Sequence, residues 1–189
     1  MKLKNLSIIR TGIVLQRKRA SVIDENTLEY KTVSLKSFDS TITLVEDSFV
    51  NFNTMQEIKD EYLTQKGDVI LRLREPNSVA YIDDEHVGLL VSSLMTIIRV
   101  KSTAVNHKYL AYFLNSKKVK RALESSLKGT TINMIQAKDL EELEITLLSL
   151  KEQEKIVVLQ DLHQKELHLL EELKTKKIKL NETMFEKLI

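Results

Sequence analysis

The sequence contains no cysteine, no tryptophan, one proline and only four glycines in 189 residues. Without cysteine there is no disulfide framework and no thiolate metal site, which fits a reducing, cytoplasmic setting. The lone proline, Pro76, excludes the adjacent Pro-Pro pair on which the catalytic motif of amino-methyltransferases is built. Gly12, Gly67, Gly88 and Gly129 are too dispersed for a GxGxxG turn or a phosphate-cradling P-loop. No apolar run approaches the roughly 18 residues of a membrane span. No secretory apolar region follows Met1, so no membrane association is expected.

Catalytic constellations are equally sparse. The four histidines, His86, His107, His163 and His168, form no HExxH pair, and His163 and His168 are not at the i, i+4 spacing that puts two imidazoles on one helix face. A GxSxG nucleophile turn is absent. Glu29-Tyr30-Lys31, Glu57-Ile58-Lys59 and Glu172-Leu173-Lys174 match the Glu-x-Lys half of a nuclease core. With 30% charged residues, such triplets arise by chance. The chain reads as a binder rather than a catalyst, without metal or cofactor.

What is present is patterned charge and a long helix. Residues 1–20 carry six bases and no acid, residues 21–61 three bases against nine acids, and residues 101–128 seven bases against one acid. Opposite charges can thus lie on different faces, and a basic face attracts phosphate, although an ordinary solvated surface fits the same pattern.

Strands are expected over Leu6–Leu15, Thr27–Leu35, Thr41–Val45, Val69–Leu73, Val79–Ile82, Gly88–Val100 and Glu144–Leu148. Helices are expected over Tyr109–Leu114 behind an Asn106 cap and over Val119–Leu127 behind Ser116, with Gly129 as a stop, and a short one over Ala137–Leu143. From Leu150 onward there is no Gly and no Pro, and Glu, Lys and Leu dominate, as in one long helix. Leu162, Leu169, Leu173, Leu180 and Met184 form one stripe, interrupted by Glu166 and Lys176, with the spacing of a moderate coiled-coil seam. A helix over 151–187 is about 55 Å long at 1.5 Å per residue and must project from a small domain.

Five segments, in order, resemble the DNA-specificity subunit of type I restriction–modification systems. They are Gly67-Asp68-Val69-Ile70-Leu71-Arg72-Leu73-Arg74, the strand region Gly88 to Arg99, the helix Tyr109 to Ser116, the turn Gly129-Thr130-Thr131-Ile132-Asn133-Met134-Ile135, and Leu150-Lys151-Glu152-Gln153 opening the long helix. One departure is Leu148-Ser149-Leu150, where the family usually has prolines. The resemblance implies an α+β fold, with a small twisted-sheet target-recognition domain over 1–149 and a spacer helix over 150–189. That helix would form an antiparallel coiled coil with a partner.

It further implies sequence-specific binding of double-stranded DNA and no catalysis by the chain itself. Its partners would be methyltransferase subunits and, in some systems, restriction subunits. Full-size members carry two recognition domains and two helices, so a half subunit working as a homodimer is expected. The dimer seam would be Leu162, Leu169, Leu173, Leu180 and Met184. An antiparallel pair of such helices spaces two half-sites by one to one and a half DNA turns, on the order of 55 Å. A coiled-coil adaptor that binds only protein, or a truncated remnant, is the alternative.

Base readout needs Arg, Lys, Asn or Gln on loops, and phosphate contact needs any base. The candidates are Arg17, Lys18 and Arg19 after Gly12, then Arg72, Arg74, Asn77 and Ser78 around Pro76. Lys128, Thr130, Thr131 and Asn133 form a further polar turn. Arg72 and Arg74 share a strand face; pairing with Asp83–Glu85 would remove them from that role.

Overall fold

The computed structural model describes residues 1–39, 41–75, 77–126 and 134–186. Among these residues six strands form two sheets. Four of them, β1 (Ser7–Thr11), β6 (Met95–Val100), β4 (Val69–Arg72) and β5 (Val79–Tyr81), make an antiparallel sheet in the order β1-β6-β4-β5. Its register pairs Ile9 with Ile98, Ile70 with Ile97 and Ile70 with Ala80. The others, β2 (Leu28–Thr32) and β3 (Val50–Thr54), pair antiparallel with Tyr30 opposite Phe52.

The central strands are buried on both faces, which is why Val69-Ile70-Leu71 reads as an unbroken apolar run. Val69, Leu71 and Ile98 point to one core with Leu110, Leu114, Val119, Leu123 and Leu140 from three helices. Ile70, Ile97 and Met95 point to a second core with Val33, Leu44, Leu89 and Val91. Phe52, Ile58 and Leu90 make a third, against Ile13, Leu15 and Tyr30.

The Gly67-Asp68 pair has a distinct physical task. Gly67 has φ +84°, and a Cβ there would lie 2.3 Å from the His107 ring nitrogen Nδ1. Asp68, buried beside it, accepts a two-pronged bond from Arg99, Nε to Oδ1 at 2.8 Å and Nη2 to Oδ2 at 2.7 Å, and a further bond from the Gln65 amide. Gly12 allows another close approach, since a Cβ would lie 2.3 Å from the Val91 and Ser92 carbonyl oxygens.

Helix α1 (His107–Asn115) starts at Asn106, whose side chain accepts from the Lys108 and Tyr109 amides. Helix α2 spans Lys117–Ser126 and α3 spans Ala137–Glu141. Lys2 and Lys4 both bond Glu142 just past α3, and these bonds hold its carboxyl down to about 2. The last helix, α4, runs Leu150–Glu186, 37 residues.

Its start explains the departure from proline. Ser149 Oγ accepts from the Glu152 amide at 3.4 Å, and the Ser149 amide donates to the Glu152 carboxylate at 3.0 Å. This reciprocal capping box opens the helix without proline.

Three strand expectations need correction, and one strand is additional. Thr41–Val45 is not a strand; Ile42 and Leu44 are buried, but the segment holds an isolated Phe38–Leu44 bridge and a single bond from the Tyr81 amide to the Ile42 carbonyl at 2.7 Å rather than a ladder. Gly88–Val100 is a strand only from Met95; before that, Leu90 bridges Thr32 and Leu63, and Ser92 bridges Ile13. Glu144–Leu148 holds a single bridge, Lys2 to Glu144. Strand β3 was not expected, because Val50-Asn-Phe-Asn-Thr54 carries few apolar residues. The Gly129 stop lies outside the described residues.

Candidate nucleic-acid interface

The first basic cluster follows β1 directly. Leu15–Arg17 makes one 3₁₀ turn, which presents Arg17, Lys18 and Arg19 in succession. Arg17 and Arg19 are exposed and Lys18 is half-buried. Lys18 Nζ donates to Gln56 Oε1 at 2.5 Å, and the Arg19 guanidinium stands 5.5 Å from the centre of the Phe52 ring. Among the described residues none of the three forms an ion pair. Arg17 and Lys18 line two adjoining concavities of about 480 and 290 Å³.

The second cluster is divided by burial. Arg74 is exposed and Arg72 half-buried, and neither pairs with an acid among the described residues. Asp83 and Asp84, the acids suspected of holding them, bond His86 and Lys66 instead. Asn77 and Ser78 are buried, at 2% and 6% exposure. The Asn77 amide donates to the Arg72 carbonyl at 3.2 Å, and the Ser78 carbonyl accepts the Arg72 amide at 2.9 Å. Both residues therefore close the β4–β5 connection, with their side chains largely covered by the domain. Lys128, Thr130, Thr131 and Asn133 lie outside the described residues.

The long helix has two working faces. Gln153, fully buried, accepts the Asn106 amide at 2.8 Å and donates to the Ala104 and Leu148 carbonyls, each at 2.9 Å. Two turns on, Asp161 accepts from Tyr112 Oη at 2.5 Å and Lys108 Nζ at 2.7 Å. Burial first, then the Asp161 carboxylate, raises the Tyr112 phenol above its ordinary value. Ile156, Val157, Gln160 and Gln164 complete the docked side, and every later side chain through Glu186 is exposed.

Leu162, Leu169, Leu173 and Leu180 lie within about 40° of one line on the opposite side, at 100° per residue. They and Met184 are 50–60% exposed. Sequence reading found the stripe but not the Gln153 and Asp161 latches, because a polar residue on a helix shows no partner until the fold supplies one.

A family model described as the type I restriction modification DNA specificity domain matches residues 18–180. The chain belongs to this family. Solved structures agree on the fold of this specificity domain. The HsdS subunit from Thermoanaerobacter tengcongensis superposes with a TM-score of 0.69 at 18% identity, covering 93% of this chain and 44% of that one. A structure described as showing complex assembly and conformational transition of the type I R-M system gives 0.62 at 19% identity, covering 94% and 40%. The specificity domain thus spans less than half the length of these matched chains. The comparison with curated proteins returns no match. Among the described residues no helix is long and apolar enough to cross a membrane.

In this specificity domain the Leu150-Lys-Glu-Gln153 segment has a structural reason. Glu152 caps the helix and Gln153 latches it to the sheet domain. Replacing Gln153 by alanine strands two carbonyls and one amide, and is expected to lower stability by about 3 kcal/mol in urea denaturation. Gln153→Glu should fare no better, since a carboxylate cannot donate to the two carbonyls. An unchanged unfolding midpoint would refute the latch.

Proposed function

We propose that this specificity domain binds one half of a bipartite duplex DNA target as a homodimer built through α4. In this reading it directs methyltransferase subunits, and restriction subunits where present, to the site. It supplies recognition, while the partners supply the chemistry, in the cytoplasm. The observation that carries the reading is the projecting helix, whose apolar stripe lies opposite the face docked on its own domain. A half-exposed leucine row of this kind calls for a second helix.

An antiparallel pair places two basic clusters at opposite ends, on the order of 55 Å apart, which suits a split palindromic site. Arg17, Lys18, Arg19, Arg72 and Arg74 are the contacts proposed for each half-site. Lys128, Thr130, Thr131 and Asn133 are proposed as backbone contacts.

Light scattering is expected to give a mass near twice 21.8 kDa. Duplex binding with the methyltransferase partner present should weaken steeply with salt. Three phosphate contacts per protomer give a log–log slope of about −5. Binding without salt dependence, or none at all, would favour the protein-binding adaptor instead.

A further inference from the structure

We propose that Val22 and Ile23 read thymine methyl groups in the major groove. The inference rests on the DNA-binding reading above and refines it. These two residues are the most exposed large apolar side chains among the described residues, at 71% and 70%. They are consecutive, so their side chains leave the backbone in different directions, yet neither finds cover on its own domain.

The segment that carries them is held at both ends. The Ala20 amide donates to the Asn53 carbonyl at 2.8 Å, tying its root to β3. On the far side Asp24 closes a turn: its Oδ1 accepts the Asn26 amide at 2.9 Å, and its amide donates to Thr27 Oγ1 at 2.9 Å. The tip is therefore presented on a fixed base.

The surroundings choose the occupant. Val22 shares one concavity with three cations, Arg17, Lys18 and Arg19, and one acid, Asp24, whose Oδ1 is taken up by the Asn26 amide and the Thr27 hydroxyl. A duplex sets anionic phosphates on either side of a groove whose floor carries base edges. Cations engage the former and short side chains the latter. Branched aliphatic side chains neither donate nor accept hydrogen bonds. The apolar group on a base edge in the major groove is the thymine C5-methyl, so contact there distinguishes A·T from G·C.

The test uses the full chain with its methyltransferase partner. Bound duplexes are selected from a random pool, and each thymine of the selected site is then replaced by uracil, which removes the methyl and keeps every hydrogen-bonding group. One or two thymines per half-site are expected to weaken binding about fourfold each on replacement. A Val22→Ala, Ile23→Ala double variant should bind the thymine and uracil duplexes equally, while keeping wild-type melting, dimer mass and salt slope.

The inference falls if uracil replacement has no effect on wild-type binding or the selected half-site lacks thymine. It also falls if the double variant still discriminates, or if that variant loses its dimer mass, which would make the pair a protein contact. Absence of any salt-dependent duplex binding by the wild type would instead bring down the DNA-binding reading on which it depends.

Discussion

Replacing Asp68 by alanine is expected to destabilise the domain by about 3–5 kcal/mol, the range for removing one partner of a buried ion pair. Asp68 is 1% exposed and receives three hydrogen bonds, two from Arg99 and one from the Gln65 amide. Without it the Arg99 guanidinium keeps, among the described residues, the Leu63 carbonyl at 3.0 Å as its hydrogen-bond partner. Arg99 is a quarter exposed, so water relieves part of the cost and the lower end of the range is expected. With an m-value of about 2 kcal/mol per molar urea, the midpoint should fall by about 1.5 M. The double variant Asp68→Leu, Arg99→Met should recover much of the loss, because it removes both charges together. A single-variant shift below a few tenths molar would show that the pair does not hold β6 to the Gly67 turn.

Introducing glutamate at both Leu169 and Leu173 is expected to convert the proposed homodimer to a particle of 21.8 kDa. A two-fold pairing carries four such leucines. Each is about half exposed on the single chain, so covering the rest contributes about 1 kcal/mol per side chain. Their loss alone raises the dissociation constant about a thousandfold, and the added carboxylates raise it further. Because these residues lie beyond the docked part of α4, thermal melting of the sheet domain should be unchanged. A variant that keeps twice the single-chain mass in sedimentation equilibrium would overturn the seam.

Local pattern was legible wherever one strong rule acted. The Asn106 and Ser116 caps, the apolar run Val69–Leu73 and the uninterrupted run after Leu150 each depend on a few neighbouring residues, and α1, α2, β4 and α4 follow from them. The misses have a common cause. Thr41–Val45 alternates because Ile42 and Leu44 face a core, yet its backbone bonds reach Ser37 and Tyr81 one at a time rather than along a ladder. Leu89, Leu90 and Val91 are apolar enough for a strand, but their backbone bonds reach residues 13, 31, 33, 62 and 64 rather than one partner. Alternation reports burial; a ladder also needs a neighbour, which sequence spacing does not supply.

The same division runs through the interface. By itself the sequence determined the family, through ordered short segments, and the length and apolar stripe of α4, through helical periodicity. Tertiary structure alone decided which polar residues remain available. It buried Asn77 and Ser78 in the β4–β5 connection, while leaving Arg17, Arg19 and Arg74 exposed. It also turned Gln153 and Asp161 into latches that aim the leucine stripe outward. Helical period and capping are fixed by residues within a turn of one another. A side chain's burial and hydrogen-bond partners are set by segments tens of residues away, such as the 47 between Asn106 and Gln153.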